Sequence, residues 1–105
     1  MHDLVCFCCQ QAAEKYLKAL LEERNLLIPR THDLEALLPQ LLPLYPQLLS
    51  LRRGCKFLLQ FAVDARYPGF HAIKRQATAA LNWAERIRDV CRDLLGFRPR
   101  RKKST

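Results

Sequence analysis

The sequence predicts an all-α protein with a single hydrophobic core. Leu, Ala, Gln, Glu, Lys and Arg, which favour helices, dominate the composition, whereas the β-branched strand formers Val and Thr are scarce. Only three of the 105 residues are glycine. Half of the residues are hydrophobic, which supplies one core in a chain that is too short for two. We therefore expect one helical domain over residues 1–97.

The first helix is predicted from about Asp3 to Asn25. Apolar residues recur there at spacings of three and four, as they do along one face of a helix; they are Val5, Cys9, Ala12, Tyr16 and Leu20. Another face carries Glu14, Lys18 and Glu22. Glu14 precedes Lys18 by one turn, which is the favourable order for an ion pair on a helix.

Prolines divide the middle of the chain into two shorter helices. Thr31 is the predicted N-cap of the first one, whose apolar face consists of Leu34, Leu37, Leu38 and Leu41. Pro46 suits the first turn of the next helix, which should run to about Ala65 and stop before Pro68. Its predicted stripe is Leu51, Cys55, Leu58 or Leu59, Ala62 and Ala65.

The last helix is predicted from Phe70 or His71 to Leu95, with Gly96 as its stop. Its apolar stripe is Ile73, Ala77, Ala80, Leu81, Ala84, Ile87, Cys91 and Leu94. Trp83 lies beside the small alanines and is expected either in the core or at a contact with a partner.

Basic residues concentrate at the C-terminal end. The formal net charge is +8, and residues 98–105 contribute five positive charges, so we expect a disordered basic tail there. Such a tail suits phosphate backbones without sequence preference, and it equally serves solubility. No apolar run is long enough to span a membrane, and the Met-His-Asp start does not resemble a secretory signal. We expect a cytoplasmic protein that makes no membrane contact.

The five cysteines occupy positions 6, 8, 9, 55 and 91 and form no CxxC pair. An odd number without that spacing predicts neither a zinc site nor a disulfide framework. In a reducing compartment, buried cysteines mostly behave as small hydrophobic residues. We therefore predict no bound metal.

Three blocks of sequence carry a resemblance to a known family: CQQAAEKYLKALL at 9–21, PRTHDLEALL at 29–38 and ARYPG at 65–69. In order and spacing they resemble the HEPN family, named for nucleotide binding in higher eukaryotes and prokaryotes. The resemblance implies an antiparallel up-and-down bundle of about four helices that commonly forms a homodimer. It also implies pairing with a minimal nucleotidyltransferase as a prokaryotic toxin and antitoxin, and RNA or a nucleotide as ligand. Many members are RNases that need no metal or other cofactor, and others are non-catalytic binding modules.

The chain departs from the family pattern in three places. Members usually carry a further amphipathic helix ahead of the Cys-Gln-Gln block, so the helices present here are expected to expose an apolar groove. A partner would fill this groove, or the chain is a truncated gene product. Cys8 stands where relatives often have a histidine. In one branch of the family the partner modifies a tyrosine two residues after the motif histidine, where this chain has Ile73.

Arg66 and His71 are the candidate catalytic residues. The four residues between them fit the spacing of the arginine and histidine in HEPN RNases, and the Pro-Gly break between the helices would direct both toward one cleft. A histidine with a pKa of about 6.5 can accept the proton of a 2′-hydroxyl or protonate the leaving oxygen, while arginine stabilises the phosphorane. The structural alternative is that Arg66 favours the dipole at its helix end and that His71 is an ordinary surface residue.

Lys15, Lys18 and His32 are further candidates for contact with a nucleotide or phosphate. The alternatives are ion pairs with Glu14 and Glu22 for the two lysines, and a position within a helix-capping segment for His32. The predicted function is therefore that of a HEPN-like toxin-antitoxin protein with metal-independent RNase activity. The alternative is a non-catalytic helical module that binds a nucleotide or a partner.

Overall fold

The computed structural model describes residues 2–62 and 72–97, and these two stretches contain helices and connecting turns without any strand. Their α-helices are α1 (His2–Glu23), α2 (Leu38–Leu41), α3 (Arg52–Leu59) and α4 (Lys74–Leu94). Short 3₁₀ helices at Leu34–Leu37 and Pro46–Leu51 lead into α2 and α3. The predicted all-α fold class is confirmed.

Both long helices end at residues suited to a left-handed backbone. Asn25, just after α1, has a φ of 56°, and the Leu26 N–H donates back to the Leu21 carbonyl at 2.9 Å. Gly96 has a φ of 96° and follows α4 where the sequence predicts the stop. These closing residues satisfy carbonyls of the last helical turn that would otherwise have no partner.

The predicted apolar face of α1 was partly wrong. Of its five residues only Cys9 and Leu20 are buried. The observed core face is rotated around the helix and consists of Cys6, Cys9, Gln10, Ala13, Glu14, Leu17, Leu20 and Leu21. Val5, Ala12 and Tyr16 instead form a second stripe beside α4. Helix α1 is therefore apolar on two sides, and hydrophobic periodicity alone did not separate them.

The middle of the chain folds close to the prediction, with two corrections. The leucines predicted to face the core, Leu34, Leu37, Leu38 and Leu41, are all buried. The N-cap is Asp33 instead of Thr31, because the Asp33 carboxylate accepts the Glu35 N–H. Helix α3 ends at Leu59 and closes in turns of 3₁₀ type, with Phe61 N–H donating to the Leu58 carbonyl. The prediction that this helix continues to about Ala65 was therefore wrong, since residues 60–62 are not helical.

The three longer helices α1, α3 and α4 alternate in direction along the chain, as in an up-and-down bundle. The Gln76 side chain near the start of α4 donates to Gln60 just after α3, and Gly54 near the start of α3 contacts Trp83 further along α4. These two helices are therefore antiparallel. Helix α1 packs mainly against α4 and runs parallel to it, since Ala72 before α4 donates its N–H to Asp3 at the start of α1.

Within the described part of the chain, every helix is too short or too polar to cross a lipid bilayer.

Candidate functional site

A polar cluster joins α1 to the connector that follows it. We call Gln10, Glu14, Lys18 and His32 the Glu14 cluster, because the Glu14 carboxylate contacts the other three side chains. Lys18 Nζ lies 2.8 Å from Glu14 Oε2, and His32 Nδ1 lies 3.0 Å from Oε1. Gln10 donates to Glu14 Oε1 at 3.2 Å. Its side chain also donates to the His32 carbonyl at 2.7 Å, which fixes the backbone of the connector.

Local sequence explains how these residues meet. Gln10, Glu14 and Lys18 are four residues apart along α1, so they share one face of the helix. His32 reaches this face because the connector turns around it: the Asp33 N–H donates to Thr31 Oγ1 at 3.0 Å, and Asp33 caps the next helix. Thr31 and Asp33 therefore shape the segment that presents His32.

The Glu14 carboxylate is ionised in an almost closed environment, with its side chain only 11% exposed. Burial raises the pKa of Glu14, but the hydrogen bonds from Lys18, His32 and Gln10 lower it more, and the net pKa is below its usual value. A buried carboxylate is stable only when it is paired in this way. The charge of Glu14 thus depends on the connector being in place.

Arg66 and His71, the predicted catalytic pair, lie outside the described residues. The described residue that follows them, Ala72, donates its N–H to the Asp3 carboxylate, and Ile73 N–H donates to Gln76 Oε1 at 3.0 Å. The chain is therefore attached to the start of α1 directly after the pair. Glu14 is eleven residues further along α1, a rise of about 16 Å, so the Glu14 cluster lies well away from Ala72.

An apolar groove of about 470 Å³ separates the outer faces of α1 and α4. Helix α1 contributes Leu4, Val5, Cys8, Cys9, Ala12 and Tyr16. Helix α4 contributes Leu81, Ala84, Glu85 and Arg88. Leu4 is 54% exposed and Leu81 is 48% exposed. We call this surface the α1–α4 groove.

Comparison with known proteins assigns the chain to a family. The family model of the HEPN domain matches residues 1–94, which is most of the chain. The protein belongs to the HEPN domain family. No curated protein matches the chain, and no solved structure matches it. Membership supports a nucleotide-binding or RNase-type helical module.

The three residues predicted to contact phosphate lie at two separate places in this HEPN domain. Lys18 and His32 lie together, and both bind Glu14. Lys15 is exposed on another face of α1. The His32 side chain is 67% exposed although Nδ1 contacts Glu14. If Nδ1 carries the proton toward Glu14, Nε2 is a hydrogen-bond acceptor.

Glu14 was missed by sequence reasoning as the centre of a site. The available signal was its position: like Gln10, it falls on the core face of α1, where a buried polar side chain requires partners. Periodicity assigned Glu14 to a solvated face instead. The Cys-Gln-Gln and Thr-His-Asp blocks that carry the family resemblance thus contact each other in space.

Metal ligation has no obvious place in this part of the HEPN domain. Among residues 2–62 and 72–97, no three His, Cys, Asp or Glu side chains come together as a metal site would require. Four of the five cysteines are buried, and Cys8 is exposed. Burial raises the pKa of the Cys55 and Cys91 thiols to about 12, so these two remain protonated as core residues.

Proposed function

We propose that this HEPN domain is a metal-independent endoribonuclease of a prokaryotic toxin-antitoxin pair, with Arg66 and His71 as its catalytic residues. The observation that carries the proposal is the arginine-histidine spacing within a chain whose family match spans both residues. The antitoxin would be a minimal nucleotidyltransferase, and both proteins would act in the cytoplasm.

The proposed chemistry needs two proton transfers and one stabilised charge. A neutral histidine accepts the 2′-hydroxyl proton as O2′ attacks the adjacent phosphorus. A protonated histidine donates a proton to the 5′-oxygen as its bond to phosphorus breaks. The guanidinium of Arg66 binds the phosphorane oxygens through two parallel N–H donors. The products are a 2′,3′-cyclic phosphate and a free 5′-hydroxyl.

A homodimer would supply both protonation states at once. Each chain has one His71, whereas the reaction uses a base and an acid in the same step. Two copies that face each other across an interface would provide one histidine for each role, with an arginine beside each.

The proposal is tested by incubating the purified protein with RNA in EDTA and analysing the fragment ends. We expect fragments that end in 2′,3′-cyclic phosphate. His71→Ala should slow cleavage about 100- to 10,000-fold, the usual range for loss of one acid-base group. Arg66→Ala should slow it about 100- to 1,000-fold, as for loss of one group that stabilises charge in the transition state. His2→Ala is the matched control, because His2 is an exposed histidine at the start of α1. Co-expression with the nucleotidyltransferase should suppress cleavage.

Undiminished cleavage by the His71→Ala protein would contradict the assignment. Binding of RNA or nucleotide without any cleavage by the unaltered chain would also contradict it, and it would instead favour the non-catalytic binding module.

A further inference from the structure

Three basic side chains line one pocket at the start of α3. The pocket has a volume of about 350 Å³, which is within the range of small-ligand sites, and we call it the α3 pocket. Its lining residues are Glu35, Leu49, Ser50, Arg52, Arg53 and Lys56. Lys56 follows Arg52 and Arg53 by one helical turn, so the three basic side chains share one face of α3.

The α3 pocket has more positive than negative charge. Among the described residues that line it, only Glu35 is acidic, and Arg52 Nε lies 2.8 Å from Glu35 Oε2. The pKa of Glu35 is below its usual value, chiefly because Arg52 donates this hydrogen bond, and the charge of Lys56 contributes. Within residues 2–62 and 72–97, neither Arg53 nor Lys56 has an ion-pair partner. Three cations and one carboxylate therefore leave two positive charges without a counter-charge.

This concentration of charge is unfavourable for α3 itself. Like charges one turn apart repel each other, and Arg52 and Arg53 in the first turn oppose the helix dipole. Several other basic side chains of the described structure are paired with a carboxylate or stacked on a ring: Lys18 on Glu14, Arg88 on Asp89, Arg24 on Tyr45, Arg86 on Trp83 and Arg92 on Phe97. Local chemistry that opposes the fold is expected where a ligand supplies the missing charge.

The charge of the α3 pocket fits a terminal phosphate better than it fits a carboxylate or a backbone phosphate. A phosphomonoester carries about 1.5 to 2 negative charges at neutral pH, whereas a carboxylate or a phosphodiester carries one. The Arg53 guanidinium can bind two phosphate oxygens in parallel, and Lys56 adds a point charge. Leu49, which is 57% exposed, offers the adjoining nucleoside an apolar contact that does not depend on the base.

We propose that the α3 pocket binds a terminal phosphate of an RNA strand, held by Arg53 and Lys56 with Leu49 against the terminal nucleoside. This inference rests on RNA as the ligand in the proposed function, and it adds a preference for one kind of RNA end. The proposed cleavage creates a 2′,3′-cyclic phosphate and a 5′-hydroxyl, and neither new end is a phosphomonoester. The pocket would therefore favour uncut phosphorylated strands over the ends that cleavage creates.

The α3 pocket and Ala72 lie toward opposite ends of α3. Arg53 precedes Gln60 by seven residues, a rise of about 10 Å, and Gln60 accepts a hydrogen bond from Gln76 in the first turn of α4. Gln76 also binds the Ile73 N–H, directly after Ala72. Substitutions in the pocket can therefore be made without altering the contacts beside Ala72.

The inference is tested by measuring how tightly the full chain binds one labelled RNA made with a phosphate at the 5′ end, at the 3′ end or at neither end. Fluorescence anisotropy gives the affinities, and 2′-O-methyl nucleotides prevent cleavage, because the proposed attack uses the 2′-hydroxyl. The three RNAs differ only at their ends, so the general attraction to a chain of net charge +8 is common to all. We expect one phosphorylated end to strengthen binding about tenfold, which also identifies that end.

Arg53→Gln and Lys56→Gln remove the proposed phosphate contacts, so each should remove most of the preference for the phosphorylated end. Arg30→Gln is the matched control, because Arg30 is an exposed arginine outside the α3 pocket. It should weaken binding of all three RNAs to a similar extent and keep the preference. Arg53→Lys keeps the charge but loses the guanidinium fork, so it should keep only part of the preference.

Glu35→Gln should act in the opposite direction. It removes the negative charge of the α3 pocket and releases Arg52, so the preference for the phosphorylated end should increase. Glu22→Gln removes an equal charge from an exposed position on α1 and should leave the preference unchanged. All variants should retain the helical circular dichroism of the unaltered chain.

Equal affinity of the unaltered chain for the three RNAs would overturn the inference, as would a preference that survives Arg53→Gln. Adenosine monophosphate that binds as tightly as the phosphorylated RNA would assign the pocket to free nucleotides and overturn RNA as its ligand. RNA cleavage without any end preference would reject the pocket and leave the ribonuclease proposal standing. An end preference that depends on Arg53, in a chain that cleaves no RNA, would do the reverse.

Discussion

At the scale of single residues, Glu14 organises the largest polar network of the described structure. Its carboxylate contacts a lysine, a histidine and a glutamine, and all of its buried polar neighbours have hydrogen-bond partners. The network connects α1 to the connector at His32, which is eighteen residues from Glu14 in the sequence. Any function proposed for Lys18 or His32 must therefore account for the contacts that both side chains make with Glu14.

The Glu14 network predicts a dependence of stability on pH. The pKa of Glu14 is lower in the folded state, so the unfolded chain binds more protons in acid and stability rises with pH. The contribution is complete above the unfolded pKa of about 4.3 and is lost as the pH falls through the lower, folded value. Glu14→Gln should destabilise the protein by about 1–3 kcal/mol at neutral pH, and the difference should shrink in acid.

Urea unfolding of both proteins at neutral and acidic pH measures this difference. Glu22→Gln, an exposed glutamate on the same helix, is the control and should stay within about 0.5 kcal/mol of the unaltered chain. A difference for Glu14→Gln that is the same at both pH values would contradict the network's role.

Local spacing could predict only part of this network. The Glu14 to Lys18 ion pair follows from their separation of four residues and is observed at 2.8 Å. The contact of Glu14 with His32 could not be derived from spacing, because it depends on the path of the connector. Arg66 and His71 stay a prediction, since they lie outside the described residues.

At the scale of helices, α3 and α4 pack through an unusually close contact. Gly54 of α3 is buried against the face of the Trp83 ring, and the Arg86 guanidinium stacks on the same ring, 4.5 Å from its centroid. A Cβ atom at position 54 would overlap the ring carbons Cδ2 and Cε3. Gly54 therefore allows α3 and α4 to approach closely at this point. Trp83, which was predicted either in the core or at a contact with a partner, packs against the core.

Gly54→Ala should destabilise the protein even though alanine is the better helix former. The gain in helix propensity is about 1 kcal/mol, whereas overlap with a packed ring typically costs about 1–3 kcal/mol or more. Thermal unfolding followed by circular dichroism would measure the balance.

Repeating the substitution in a Trp83→Leu background tests the cause. There the alanine should cost less, or should stabilise, because the ring is gone. Equal destabilisation in both backgrounds would show that the ring is not what excludes a side chain at position 54.

Helix positions were easier to predict than helix faces. The positions of proline and glycine, which end helices, predicted the Leu34–Leu41 segment and the end of α4 at Gly96 to within a residue or two. The faces of α1 were harder, because two apolar stripes overlap around one helix and the core side also contains Gln10 and Glu14. Periodicity measures how apolar residues repeat, and it does not say which neighbour each stripe contacts.

At the scale of the whole molecule, charge is distributed unevenly along the chain. Residues 98–105 carry five positive charges of a chain whose net charge is +8. If RNA is the substrate, this end should strengthen binding through counterion release, which depends on charge number and not on base sequence.

Deleting residues 98–105 should leave the melting temperature unchanged and weaken RNA binding. The slope of log affinity against log salt should fall by up to about 0.7 for each positive charge removed. Fluorescence anisotropy with a labelled single-stranded RNA at several salt concentrations gives this slope. A variant with the five basic residues replaced by glutamine controls for length and should behave like the deletion. An unchanged slope, or a lower melting temperature, would contradict a purely electrostatic role.

The parallel arrangement of α1 and α4 also bears on how the chain folds. Asp3 and Ala72 contact each other although 69 positions separate them. Among the described helices, α1 and α4, which begin near these two residues, pack together most extensively. Closing so long an interval is entropically costly and is compensated only when both helices bury their faces together. Leu34–Leu41, by contrast, makes local contacts that can form early. Neither α1 nor α4 can bury its core face without the other. We therefore expect these two helices to become ordered in one cooperative step.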